Sequence, residues 1–374
     1  MSKKILVIAM SDLSKSPRPM RQIKALKDRN IVDTIGIKAS GLEHGFYNIN
    51  KSHVIVEILK LPLLLLRMYH IYYWDKYKKK ILKTIGKNDY DLIIVHEVRM
   101  LPLALKLSNR AKIILDAHEY SPENFNDDLI WRIFIKHFYI YLCKNFINKC
   151  DKIITVCDGI ANLYKKNFNV DCEVITNATE HFELEPIKTE LNKIKIIHHG
   201  NASSSRKLEL MIEMMNFLDD RFELYLMLVA KRTNKIYFNK LKKISKGYSN
   251  VYFLKPVTYS EIVPYSNQFD IGIQFHPPVN INLQFGLGNK FFEFIQSRLA
   301  IAIGPSSEMR KYVEKYDLGI VSESFDPKSI AAKLNSLSSQ DIMNFKNNAH
   351  KNALRLSSSS NKKKFLEIID RLLE

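Results

Sequence analysis

Glycine is scarce in this chain, with 12 in 374 residues. Two of them nevertheless stand one residue apart in FGLGNKFFEFIQ (285–296), a placement that asks for a reason. Acid is also short: 39 Asp and Glu face 57 Lys and Arg, a formal charge of +18. Such a balance points to an anionic partner, whether nucleic acid, an anionic membrane surface or a phosphorylated substrate. A gene base bias toward Lys, Asn and Ile is the plain alternative source of part of it. There are four cysteines, Cys143, Cys150, Cys157 and Cys172, and their spacing excludes a CxxC metal knuckle. Reduced, mostly buried thiols in a cytoplasmic protein are expected. The longest apolar run, ILKLPLLLLRMYHIYYW, is interrupted by Lys60, Pro62, Arg67 and His70 and is too short and charged to span a bilayer. The opening MSKKILVIAM carries no signal-peptide cleavage pattern.

What is present reads as α/β. The length exceeds one ordinary core and predicts two domains. KILVIAM (4–10), DLIIVHE (91–97), AKIILDAHE (111–119), DKIITVCDGI (151–160) and CEVITNA (172–178) are apolar runs of the kind that parallel sheets bury on both faces. Helical stretches alternate with them, which predicts a doubly wound parallel sheet. Ligands in such sheets sit at the carboxyl ends of the strands. Here those ends carry His96, His118, Glu119 and Asn177. A polar segment, EHFELEPIKTELN (180–192), reads as an interdomain linker. A second series follows, from KIKIIHHGN (193–201) through FELYLMLVA, VYFLKPV and FDIGIQF to AIAIGP and LGIVSE. The expected architecture is two doubly wound Rossmann-like domains facing across a cleft, covering 1–185 and 186–358. A final helix over 359–374 is expected to pack back on the first domain.

The glycine pair precedes a helix that begins near Asn289. Gly286 and Gly288 let backbone approach a ligand closely, and the free N–H groups of a helix start attract anions. Glu293 lies one turn inside, where a carboxylate reaches two hydroxyls of a ribose whose phosphates rest on the helix start. The stretch therefore reads as a sugar-nucleotide pocket. The plain alternative is a capping glycine before an ordinary core helix built on Phe291, Phe292 and Phe294.

Six motifs in order now carry a resemblance. They are SPRPMRQIKAL (16–26), LDAHEYSPE (115–123), CDKIITVCDGIANLY (150–164), VITNATE (174–180), HHGNASSSRKLELMIEM (198–214) and GNKFFEFIQSRLAIAIG (288–304). Together they make nearly the whole chain resemble the retaining GT-B glycosyltransferases of family GT4. That resemblance implies transfer of a sugar from a nucleoside-diphosphate sugar, UDP preferred over GDP, with retention of anomeric configuration. The diphosphate is expected at Gly286, Leu287, Gly288 and Asn289, with Gly200 and Asn201 in the loop beneath it. Arg206 and Lys207 match the family's phosphate contacts, Glu293 its ribose ligand, and His118 the histidine near the transferred sugar. Val257, in LKPVTY, lies where backbone reads the base. Arg18, His96 and Glu119 are acceptor-side candidates. Three departures stand out, one being Asn201 where an arginine usually follows the loop glycine. Position 285 is Phe where the family often has a second glutamate, and Gln296, Ser297 and Arg298 replace small residues.

No metal is expected. The one D-x-D, Asp89–Tyr90–Asp91, lies in a turn before a strand, and the histidines lack His-x-His or HExxH spacing. Fixed donors would then hold the leaving diphosphate. RMYHIYYWDKYKKKILKTIGK (67–87) has seven Lys or Arg against one acid, with four tyrosines and a tryptophan. With LPLLLL before it, the 60–87 stretch suits an anionic membrane interface, aromatics inward and lysines outward, or a surface helix packed on its own domain. The expected setting is the inner face of a bacterial membrane, with a glycan or lipid-linked acceptor of capsule, O-antigen or lipooligosaccharide synthesis. A nucleotide-sugar epimerase and a basic nucleic-acid-binding protein are the alternative classes. No nucleic-acid module is visible, so no nucleic-acid partner is expected.

Overall fold

The computed structural model describes residues 2–50, 54–86, 89–126 and 128–374. Lys87, the last residue of the basic stretch, lies outside them. The chain divides into two compact units. The first takes residues 1–176, 280–282 and 362–374, and the second takes 177–279 and 283–361. The division falls before the 185/186 boundary expected from composition.

The first unit is built on a seven-stranded sheet: β1 (Lys4–Ile8), β2 (Ile31–Gly36), β3 (Gly45–Asn48), β4 (Leu92–His96), β5 (Lys112–Ala117), β6 (Lys152–Thr155) and β7 (Glu173–Val174). Their order is β3-β2-β1-β4-β5-β6-β7, and all are parallel. The second unit repeats the plan with β8 (Ile194–Asn201), β9 (Phe222–Val229), β10 (Val251–Leu254), β11 (Ile271–Gln274), β12 (Ala300–Ile303) and β13 (Gly319–Val321). Its order is β10-β9-β8-β11-β12-β13, again all parallel. In each sheet the winding reverses beside the first strand. The crevice at that reversal, at the carboxyl ends, is where such sheets bind ligands. In the first unit it lies at β1 and β4, and in the second at β8 and β11.

The apolar runs form the strands because both faces are covered. Ile5, Val7, Leu92, Ile94, Ile114 and Ile154 share one core with Phe365, Ile368 and Ile369 of the helix Ser358–Leu373. Strands β2 and β3 escape a reading by apolar run, because IVDTIG places Asp33 and Thr34 mid-strand. Asp33 is buried there and accepts from the Tyr90 hydroxyl at 2.8 Å, so the acid is satisfied rather than excluded.

The segment read as a linker is held to the second unit. Arg298, fully buried in the left-handed region at φ 59°, donates to the carbonyls of Phe182 (2.6 Å), Leu184 (3.0 Å) and Gln296 (2.7 Å). Gln296 donates to the Ala353 carbonyl at 2.6 Å, and Asn267 to those of Glu185 and Ser297. The residues that replace the small ones expected after this helix are therefore a strap for residues 180–185.

The basic stretch forms short helices, Leu61–Leu65, Tyr69–Tyr73 and Lys76–Ile85. Its tyrosines do not face outward in the manner expected of a membrane helix. Tyr69, Tyr72 and Tyr73 are buried, with Tyr69 and Tyr72 packed on Phe138 and the Tyr73 hydroxyl accepting from the Leu103 amide. Ring burial on the domain wins because these rings carry the largest apolar area in the stretch. The exposed apolar residues are aliphatic instead: Leu65, Leu66 and Ile71. No helix among the described residues is long and apolar enough to cross a membrane.

Arg298→Ala removes a charged donor from three buried carbonyl contacts, each worth about 1.5–3 kcal/mol. Allowing for water replacing part of this, a loss of at least about 2 kcal/mol is expected, which lowers the melting temperature by roughly 4–8 °C for a unit of this size. Arg298→Lys recovers only part of it. Calorimetry reads the change, and an unaltered melting temperature would show the strap to be unnecessary.

Candidate active site

The register of the first sheet sets His96, the last residue of β4, beside Asp116 of β5. Both are buried. A carboxylate there requires compensation, and Arg18 supplies it. The arginine rises from the helix Pro17–Leu26, started by two prolines in its first turn. Its Nε donates to both Asp116 oxygens at 3.0 and 2.7 Å, and Nη1 to the Ile175 carbonyl at 2.7 Å. Gln22, one turn on, donates to Asp116 at 2.5 Å. The guanidinium and nearby imidazoles more than offset burial and hold the Asp116 carboxyl well below the usual range.

His118, two residues past Asp116, meets His96 Nδ1 through its Nε2 at 2.7 Å. Burial pushes His96 down to about 3 and His118 to about 4, despite the opposing pull of Asp116. Both rings are therefore neutral near pH 7 and share one proton between these nitrogens. Glu119 follows, exposed at the edge. Glu97 occupies the left-handed region at φ 68°. Arg18, His96, His118 and Glu119 are thus brought to one carboxyl edge.

His96, Asp116 and His118 offer ligand atoms within 4.8 Å of one another. Two nitrogens on one tetrahedral zinc stand about 3.3 Å apart. The 2.7 Å contact is instead a hydrogen bond, and Asp116 is already engaged by Arg18. The Asp89–Asp91 pair lies at the other end of the sheet, where Asp91 accepts from the Lys4 amide at 2.7 Å.

In the second unit the carboxyl end of β8 carries His198, His199 and Gly200. Gly200 has φ +116°, and a Cβ added there would lie 2.4 Å from Lys290 Cε and 3.8 Å from an Arg206 guanidinium nitrogen. The positive φ favours glycine here, and the end of the Lys290 side chain lies over its open face. His198 Nδ1 donates to the Ile273 carbonyl at 2.8 Å, which leaves Nε2 to accept from Lys290 at 3.4 Å. Burial, then the Arg206 charge, depress the Lys290 ammonium, with Glu293 opposing. Neither Lys290 nor Arg206 has an ion-pair partner among the described residues.

The helix Asn289–Gln296 starts here, with Gly288 as its N-cap. Gly288 is extended, at φ −84°, and a Cβ on it would meet nothing within 4 Å. It is an N-cap and not a C-cap, while the core helix of the plain alternative is present. No side chain caps the helix start, and the Asn289 Oδ1 atom is buried without a partner. Phe291, Phe292 and Phe294 hold the far face in the core. Glu293 is buried, 3.5 Å from His199 Nε2. Gly286 lines a small cavity with Gln274, His276, Ser306 and Met309. Leu287 is buried beneath the loop. Lys207 and Asn201 are exposed beside the group, and Val257 lies past β10, the edge strand two places from β8.

Residues 36–181 match the family model described as Glycosyltransferase Family 4. Among solved structures, the sucrose-phosphate synthase of Thermosynechococcus elongatus superposes with a TM-score of 0.75 at 10% identity, covering 99% of each chain. HepE of Anabaena, in complex with UDP and glucose, gives 0.72 at 14% identity over 99% of this chain and 100% of its own. A glycosyltransferase from Rickettsia africae gives 0.71 at 15% identity over 100% and 99%. No curated protein matches by sequence.

The chain has the GT-B fold.

Two residues at this site were not singled out by motif. Lys290 was quoted within NKxFE but given no role, because its reach over Gly200 is a tertiary fact. His276, depressed to about 3 by burial and by Lys290, follows β11 within a loop that has no motif of its own. The local signal available for Lys290 was its place at the second position of a glycine-started helix.

Five histidines, His96, His118, His198, His199 and His276, are held below their ordinary value. In each case the unfolded chain binds a proton near pH 6.5 that the folded chain refuses. More protons bind the unfolded state, so stability is full above about pH 6.5 and is lost as pH falls toward about 4. Denaturant titrations of the protein are expected to show a falling midpoint across this window, with a shallower slope in His96→Asn. A midpoint constant from about pH 7 to about pH 5 would contradict the assignment.

Proposed function

We propose that this enzyme transfers a sugar, with retention of configuration and without a metal, from a UDP-sugar to a glycan or lipid-linked acceptor of a bacterial surface polysaccharide. The observation that carries the donor assignment is the group around Gly200. Two cations without ion-pair partners and an uncapped helix start converge there, and Glu293 stands one turn inside the helix. A diphosphate supplies the missing anion, and the ribose hydroxyls suit the carboxylate. HepE, solved with UDP and glucose, supports a uridine nucleotide.

In this reading the second unit binds the donor. Arg206, Lys290 and the helix-start amides take up the charge that develops on the departing diphosphate, with Lys207 and Asn201 at the rim. One such donor contributes about 3–4 kcal/mol to lowering the barrier. Because these dipoles and charges are fixed before reaction, a metal need not be recruited. Val257 and its loop read the base, and Gly286 to Asn289 hold the phosphates. His118 accompanies the transferred sugar. Arg18, through Asp116, positions the two imidazoles, and Glu119 faces the acceptor. No second carboxylate stands at position 285. A front-face route, in which the donor phosphate assists the acceptor's deprotonation, asks for no further base. Peripheral attachment to the inner face of the cell membrane, in the cytoplasm, places the enzyme beside its acceptor.

A thermal-shift series with UDP, GDP, CMP and ADP, with and without EDTA, tests the donor reading. A nucleotide at a hundred times its dissociation constant adds about 2.7 kcal/mol of stability. The expected result is a shift with UDP that EDTA leaves unchanged and Glu293→Ala abolishes. A shift that needs a divalent metal, or one that Glu293→Ala leaves intact, would overturn it. The anomeric coupling of the product, read by proton NMR, checks retention.

A further inference from the structure

The first unit holds a cavity of about 410 Å³ that the donor reading does not use. Ile58, Leu61, Ile135 and Phe138 give it an apolar wall. Its size lies within the range of ligand pockets. One end reaches Met10 and Arg99, which follow β1 and β4, the strands at the winding reversal of the first sheet. At that edge stand His96, His118 and Glu119. The rim at the other end is exposed and aliphatic: Val54 is 75% exposed, Ile58 57% and Ile130 56%. The helix Val54–Leu59 buries none of its residues. Leu59, Leu66, Leu129 and Ile133 extend this uncovered surface. An apolar patch of this extent marks an interaction surface.

Two further observations restrict the occupant. Trp131 lines the cavity at 8% exposure, and its indole nitrogen is buried with no acceptor. The apolar lining with this one unpaired donor suits an apolar ligand that carries an acceptor. Charge narrows the choice again. Residues 54–86 hold seven Lys and Arg against two acids, and both acids are engaged, Glu57 with Arg99 and Asp75 with Lys78. The cations that remain attract an anionic interface.

We infer that this cavity receives the hydrocarbon chain of a phosphate-bearing lipid acceptor while the surrounding aliphatic rim and lysines rest on an anionic bilayer. The inference rests on the acceptor reading above and deepens it. The chain lies between the rim and Leu61 and Phe138. The acceptor group of the lipid then emerges at Met10 and Arg99, at the edge that carries His118 and Glu119. A glycan acceptor without a lipid has no use for such a wall. The specificity thus falls on the anchor as well as on the sugar.

Trp131 provides the probe. The only other tryptophan is Trp74, so the Trp74→Phe enzyme reports Trp131 alone. It is mixed with vesicles of phosphatidylcholine, or of phosphatidylcholine and phosphatidylglycerol in equal parts, with acyl chains brominated near their ends. The expected result is binding to the anionic vesicles and quenching of Trp131. Ile58→Asp and Ile130→Asp, both at exposed positions, should lower vesicle binding about tenfold or more and leave the UDP thermal shift unchanged. Leu61→Phe, which narrows the cavity without adding a tryptophan, should remove quenching more than it removes binding. Binding without quenching would overturn the inference and leave surface attachment standing. Absence of vesicle binding with an intact UDP shift would overturn both membrane statements while the donor reading stands. Quenching that both aspartate variants leave unaltered would also overturn it.

Discussion

The second unit holds positive charge close to backbone, on Lys290 and Arg206, with no ion-pair partner among the described residues. Lys290 crosses Gly200, and Arg206 approaches the same point. Like charges gathered in a partly desolvated place destabilise a fold unless something else holds them. Here the something else is neutral. His198 accepts from the ammonium because its other nitrogen is tied to the Ile273 carbonyl of β11. The left-handed glycine makes room, and three phenylalanines fix the helix that carries the lysine. Each choice follows from the need to keep two cations poised for an anion that arrives later.

The first unit solves the opposite problem. One carboxylate, Asp116, is buried at a strand end and is bound by Arg18 and Gln22. Its charge orders two imidazoles without protonating them, because desolvation outweighs the attraction. The edge is therefore polar, neutral at its histidines and open to solvent at Glu119. A buried pair of this kind is a weak source of stability. Its evident consequence is the fixed direction of His118.

Much of this was legible in the chain, for stated reasons. KILVI, LIIVH and KIILDA are apolar and β-branched throughout, which only strands covered on both faces tolerate. The helix start at Gly288 was legible because a glycine before an aromatic run stands out in a glycine-poor chain. Three features were not. Strand β2 is hidden by Asp33, whose partner Tyr90 lies far along the sequence. The 67–87 stretch has an aromatic side and a basic side, but periodicity does not say which meets the domain, and the tyrosines turned inward. Arg298 reads as a departure from a pattern until the carbonyls of 182 and 184 are seen around it. Lys290 was in view without a role, since a side chain that reaches over another strand's glycine leaves no local trace.

The central claim is that the Gly200 group is an anion site that works by fixed protein charge. Calorimetric titration of UDP in EDTA, on the wild-type enzyme and on Lys290→Ala, tests it most directly. The account predicts binding without metal, weakened at least about tenfold in the variant, as expected for loss of a charged contact worth about 1.5–3 kcal/mol. UDP affinity that is equal in the two proteins, or that appears only when a divalent metal is restored, would contradict it.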